Sequence, residues 1–279
     1  MSVKIILDST IDLSAASKAQ TVTVPLTVHF GEEEYLDGVT MNHQQFYEKL
    51  SETKTLPTTS QATPATFEKF FEDITAAGDS AVVITLSSKL SGTYQSAVIA
   101  AEDFDNIYVV DSTNVTIGAG ILAEYAIRCA GQGMSAKEIA QSLDEKKDKI
   151  CMIAMLDTLE FLKRGGRISA TTALAGGLLN IKPVISIQDG EIVMLGKARG
   201  TKLGSQMVSQ EVEKIGGIDF ELPILFGYTG LSGELLEKYA QENRELWNHR
   251  NEEIPRTSIG SVVGTHAGPN AFAAAFFKK

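Results

Sequence analysis

Three short apolar runs in the first half of the chain each stop at a knot of acids and hydroxyls. Lys4 to Leu7 runs into Asp8-Ser9-Thr10, Ala81 to Leu86 into Ser87-Ser88 and Ser91-Gly92-Thr93, and Ile107 to Val110 into Asp111-Ser112-Thr113. The run at Ala81 is apolar without alternation, as suits a strand covered on both faces. Between the runs lie stretches with helical spacing. Phe67, Phe70, Phe71 and Ile74 share one face, behind Thr63 as N-cap and Pro64 at the first helical position. Further helices are expected from Thr40-Met41-Asn42 through Leu50, from Thr93 to about Asp103, and from about Gly118 to Gly131. Another spans Ala136 to Lys147 and opens with a Ser135/Glu138 capping box. Strand, polar loop, helix, strand at this rhythm is the pattern of an α/β fold with a mostly parallel sheet flanked by helices. Thr21 to Phe30 reads as one β-branched strand, and Pro57-Thr58-Thr59-Ser60-Gln61 as a loop.

The second half reads differently. Lys149 to Met155 is a strand, and Leu159 to Lys163 a short helix ending at Gly165-Gly166. Ser169 caps a small-residue helix, Ala170 to Leu179. Asp189-Gly190 between Pro183–Ile187 and Glu191–Leu195 is a two-residue hairpin signal. Thr201 to Ile215 is helical, Leu222 to Tyr228 a strand, Gly233 to Leu246 a helix and Ser258 to Val263 a strand, while Ala271 to Phe277 fits either state. The expected organisation is an α/β domain over residues 1–150, carrying the polar loops, and an α+β domain with an antiparallel hairpin over 151–279. No flexible linker marks the join.

Charge narrows the function. The net charge is −10 with no Lys/Arg cluster. Nucleic acid and anionic membrane surfaces, both bound through phosphate neutralisation, are poor partners for such a chain. No stretch approaches the roughly 20 apolar residues of a membrane helix, and the apolar run at the N-terminus is too short for a signal peptide. Cys129 and Cys151 read as buried free thiols. A cytoplasmic address is the expectation. His29, His43, His249 and His266 show no metal-ligand spacing.

In open α/β sheets, ligands bind outside the carboxyl ends of the strands. The hydroxyl-rich loops fall at or near that edge, two of them at helix N-termini, where unpaired N–H groups favour an anion. Hydroxyls without a dedicated lysine suit one carboxylate better than a triphosphate. Each loop alone is also what an ordinary helix cap looks like. Gly165-Gly166-Arg167-Ile168-Ser169 lacks the Gly-Lys-Ser/Thr of a P-loop, and Gly176-Gly177 suits close helix packing. Ser91 with His266 could form a hydrolase pair on acyl esters, but no Gly-x-Ser-x-Gly elbow is present. A binding module for a small polar anion is the other alternative.

The loops, taken in order, resemble the DegV family. The resemblance is carried by Asp8-Ser9-Thr10, by Thr59-Ser60-Gln61 after Pro57, and by Leu86-Ser87-Ser88-Lys89-Leu90-Ser91-Gly92-Thr93-Tyr94. Val109-Val110-Asp111-Ser112, Leu159 through Ser169, Lys197-Ala198-Arg199 with Lys202, and Gly264-Thr265-His266-Ala267-Gly268-Pro269 complete it. Gln61-Ala62-Thr63-Pro64 departs from the family's usual Gln-Pro-Ser. The resemblance spans essentially the whole chain. It implies a non-catalytic, cofactor-free protein with a long-chain fatty acid, such as palmitate or oleate, buried between or within its domains. Thr59 and Ser91 would hold the carboxylate, with Ser60, Gly92, Thr93 and His266 as secondary candidates. It further implies that a separate ATP-dependent fatty acid kinase receives the carboxylate and makes an acyl-phosphate for phospholipid metabolism, with only transient membrane contact. Phosphoryl transfer builds negative charge that a cation would neutralise. Arg199 is the expected cation and Arg167 the next. Leu159, Phe161, Leu162, Ile168, Leu174 and Leu178 are candidates for the tunnel wall.

Overall fold

The computed structural model describes residues 2–168, 180–247 and 253–279. In chain order the strands are β1 (Val3–Asp8), β2 (Thr21–Val24), β3 (Thr27–Phe30), β4 (Glu33–Leu36), β5 (Thr58–Ser60), β6 (Ser80–Thr85), β7 (Ile107–Asp111), β8 (Ile150–Met155), β9 (Ile181–Gln188), β10 (Glu191–Arg199), β11 (Leu225–Tyr228), β12 (Arg256–Ser258) and β13 (Phe272–Phe277). Strands β2-β1-β6-β7 form a parallel sheet and β4-β3-β5 an antiparallel one. The third sheet, β10-β9-β8-β13-β11-β12, is antiparallel except where β11 meets β12. This is the mixed α/β architecture expected from the sequence, with a parallel sheet flanked by helices and a second domain built on an antiparallel sheet.

Apolar side chains stack these elements in layers. Phe46, Phe67 and Phe71 cover one face of the parallel sheet, with Ile6 and Val83. Its other face, Ile5, Leu7 and Ile84, joins Ile121 and Leu143 of the helices Thr116–Gly131 and Ala136–Lys146, and this cluster continues into Met152, Ala273 and Phe277 of the third sheet. The outer face of that sheet packs Phe226, Phe272 and Phe276 against Tyr239 and Trp247. The middle cluster therefore draws on both halves of the chain. The β9–β10 turn is left-handed at both Asp189 (φ 50°) and Gly190 (φ 83°), as a tight two-residue hairpin requires. Its tip docks on the first half, where the Ser87 hydroxyl donates to the Gly190 carbonyl at 2.7 Å.

Some local expectations are corrected. Thr21 to Phe30 is two strands, because Pro25 between them has no N–H for a ladder; Leu26 N donates instead to Ser9 Oγ. Thr58–Ser60 is not loop but a strand paired with β3. Val262 and Val263 lie in a helix, Ser261–Ala267, rather than a strand, since their β-branching disfavours a helix only weakly. Ala271 to Phe277 resolves to a strand. The expected helix Ala170 to Leu179, with Leu174, Gly176-Gly177 and Leu178, lies outside the described residues.

The parallel sheet turns left from β1 to β2 and right from β6 to β7, so its topological switch point falls between β1 and β6. The strand-end acids fix the loops there. Asp8 accepts from Thr10 N and Leu86 N, at 2.9 and 2.6 Å. Asp111 accepts from Ser88 N and Thr113 N. Burial, outweighing these bonds, pushes the Asp8 carboxyl up to about 6, and the same cause pushes Asp12 up to about 7. Both folded-state values exceed the ordinary carboxyl value of 3.8. The stability these groups contribute is thus fully present below pH 4 and is lost as pH rises through 6 and then 7. Asp12→Asn, which keeps an oxygen for Gly260 N, is expected to be a few kcal/mol more stable than wild type at pH 8, at about 1.4 kcal/mol per pKa unit. The gap should close by pH 4; denaturation midpoints across that range measure it, and a gap independent of pH would refute it.

Candidate functional site

A cavity of about 380 Å³ opens beside the switch point, between the parallel and the third sheet. Strand alternation builds its wall. Met152 and Ala154 of β8, Ile185 and Ile187 of β9, Ile192 of β10 and Ala273 of β13 line it, and the register pairs Ala154 with both Ile185 and Ala273. The polar lining includes Thr59 and Ser60 at β5, Gln61, Ser91 and Gly92, His266 and Arg167, with Thr10, Thr116 and Thr229.

Separate hydrogen bonds fix these polar groups. Thr59 Oγ1 meets His266 Nε2 at 3.0 Å, and Ser91 Oγ meets Thr93 Oγ1 at 2.9 Å. Gln61 donates to Ser96 Oγ at 3.0 Å, and any side chain at Gly92 would strike its amide, with a Cβ only 2.2 Å from Oε1. The Arg167 Nε donates to the Leu90 carbonyl at 3.2 Å, one residue before Ser91. Gly165 lets His266 close in, since a Cβ there would lie 2.1 Å from Nδ1. Burial, aided by the Arg167 charge, pushes the imidazole down to about 4, so it is neutral at physiological pH. Among the described residues its Nδ1 is buried without a hydrogen-bond partner. An orphaned buried N–H is rarer than an orphaned acceptor, which assigns the single proton to Nε2. His266 then donates to Thr59, and the Thr59 hydroxyl proton is free to point into the cavity.

The sequence-expected residues divide cleanly. Thr59, Ser60, Ser91, Gly92, His266 and Arg167 line the cavity; Thr93 stands behind Ser91, fully buried. Arg199 does not line it. It is exposed at the end of β10, opposite Ile181. Of the proposed wall, Leu162 lines the cavity, whereas Leu159 and Ile168 pack in the middle cluster and Phe161 lies against the Gly268 turn. Ser9 and Ser87 are committed to backbone groups. Ser91 and His266 do not pair, and no acid orients His266 Nδ1, so the nucleophile–base–orienter chain of a hydrolase is not assembled among the described residues. Sequence reasoning missed the alternating wall on β8 and β9, whose signal was Met152, Ala154 and Leu156 at period two, and Ala273 in a strand otherwise flanked by phenylalanines.

The sheets, the switch-point loops and the cavity define an α/β protein with an alkyl wall facing a set of hydroxyls. The chain belongs to the DegV family, whose model matches residues 2–279. A DegV domain-containing protein of Caldanaerobacter subterraneus is 40% identical over 259 residues, 92% of this chain and 90% of that protein. A DegV family protein from Thermus thermophilus, whose structure is described as showing fatty acid binding, matches with a TM-score of 0.88 at 28% identity over 100% of both chains. The Fatty Acid Kinase B3 protein of Streptococcus pneumoniae, loaded with linoleic acid, matches with a TM-score of 0.86 over 100% of both chains; at 23% identity that likeness is one of fold. Among the described residues no helix is long and apolar enough to cross a membrane.

Proposed function

We propose that this protein binds one long-chain fatty acid, carboxylate at Thr59 and Ser91 and tail along β8, β9 and β13, and presents the carboxylate to a separate kinase without catalysis of its own. The observation that carries the reading is the cavity. One side of this space of about 380 Å³ is alkyl and the other carries hydroxyls, so an amphiphile satisfies both walls at once. Each methylene buried there contributes about 0.8 kcal/mol, and the hydroxyls of Thr59 and Ser91 supply donors for one anion. The fatty acid binding described for the Thermus relative supports the choice of guest. The kinase partnership rests on the motif resemblance. Arg167, at the cavity, is better placed than Arg199 to neutralise charge during phosphoryl transfer. Organic extraction and mass spectrometry of the purified protein are expected to give about one saturated or monounsaturated acid per chain. Acyl-phosphate should form from ATP only when a cognate kinase is added. Absence of lipid, together with no uptake of palmitate or oleate, overturns the reading.

A further inference from the structure

The helix Ser261–Ala267 carries His266, yet it begins with a cap that has no side chain, Gly260. Its first free N–H groups are taken from far away in the sequence. Gly260 N donates to Asp12 Oδ1 at 2.9 Å, 248 residues distant, and Ser261 N to Asp37 Oδ1 at 3.2 Å, 224 residues distant. Thr116 Oγ1 donates to the other oxygen of Asp12 at 2.6 Å. Farther along, Gly264 lies flush against Phe46 and Tyr47, where a Cβ would sit 2.6 Å from the tyrosine oxygen. The Tyr47 hydroxyl donates to the Ile259 carbonyl at 3.0 Å. The helix is thus held at its start by two carboxylates and at its side by two rings, and its last turn delivers His266 to Thr59.

Two buried carboxylates are a costly way to hold a helix that a serine or asparagine cap could start. Asp12 is 5% and Asp37 2% exposed, and neither makes an ion pair with a described residue at salt-bridge distance. The basic neighbours are His43, which burial keeps neutral, and Lys18, whose charge acts on Asp12 through space. Among the described residues, Asp37 Oδ2 and Ser261 Oγ are buried with no hydrogen-bond partner. Neither acid lines the cavity, yet both hold the helix that brings His266 to it, and local stability rules are broken most often at functional sites.

We propose that Asp12 and Asp37 are positioning residues for the carboxylate end of the cavity, fixing the axial register of the Ser261–Ala267 helix and through it the contact of His266 with Thr59. At about 1.5 Å rise per residue the helix is short and stiff, so a slip at Gly260 arrives undiminished at His266. The inference rests on the fatty-acid reading of the site and sharpens it.

Asp37→Ala relieves a buried acid with one unpartnered oxygen but strands the Ser261 N–H, so the variant is expected to fold with a modestly changed stability that is measured beside binding. Three readouts on the ligand-stripped protein separate the roles. Oleate binding should weaken about tenfold, while methyl oleate, which has the same tail and no charge, binds as to wild type. The ring nitrogen resonances of His266 should shift. Asp37→Asn, which keeps the acceptor for Ser261 N, should restore oleate affinity to within about threefold. Equal losses for oleate and its ester, or binding loss that tracks loss of stability, would mean a structural role and overturn the proposal, as would unchanged oleate affinity. If wild type binds no oleate, the fatty-acid reading fails by itself. The His266 resonances then decide the positioning claim, which stands if they shift and falls if they do not.

Discussion

Ala154→Phe is expected to abolish fatty-acid binding and leave the protein folded. Ala154 is on the cavity-facing side of β8, flanked by its register partners Ile185 and Ala273. A benzyl group there occupies the space assigned to the acyl chain. Overpacking a filled core costs about 1–3 kcal/mol, but here the group enters open volume, so the denaturation midpoint should hold or rise. Displacing only four methylenes, at about 0.8 kcal/mol each, forfeits roughly 3 kcal/mol, more than a hundredfold in affinity. Extraction and mass spectrometry, followed by titration with oleate, measure the loss. One acid per chain in the variant would place the acyl site elsewhere.

Ser91→Ala and Thr59→Ala should each weaken binding about 10- to 100-fold, since a hydrogen bond to a charged group contributes roughly 1.5–3 kcal/mol. The two should not be equal. Ser91→Ala also removes the acceptor of Thr93 N and the partner of Thr93 Oγ1 in a fully buried residue, whereas Thr59→Ala strands the Nε2 proton of half-buried His266. Ser91→Ala is therefore the more damaging, and Thr59→Ser should recover most of the Thr59→Ala loss. Competition with a fluorescent fatty acid gives the ranking. Wild-type affinity in both alanine variants would move the carboxylate to another group, with Ser60 first in line because it alone among Ser60, Ser9 and Ser87 lines the cavity.

Much of this was legible in the chain because it is local. The strand-ending acids, the Thr63-Pro64 start and the Ser135/Glu138 box are short-range patterns, and the structure shows each in place. Gathering Thr59, Ser91 and His266 at one spot needed the resemblance, for periodicity says nothing about pairing across 207 residues. Other features were hidden for physical reasons. β5 looked like a loop because a three-residue strand beside a proline has too little alternation to register. The helix at Ser261 looked like a strand because the acids that hold its start lie over 200 residues away. Arg199 stood out as a cation in a motif, but its strand ends with that side chain exposed and away from the cavity lining.

The position of β13 bears on how the molecule can be made. Residues 272–277 form an inner strand of the six-stranded sheet, between β8 and β11, and supply Ala273 to the cavity. A nascent chain that has emerged from the ribosome as far as residue 260 has β8 and β11 but nothing to join them. It also lacks the His266 helix that packs on the first half. Such a chain exposes two unpaired strand edges and an incomplete apolar face, the features that make folding intermediates stick to one another. Capacity to hold a ligand would then arise only once synthesis has passed β13, because the cavity wall is incomplete without Ala273.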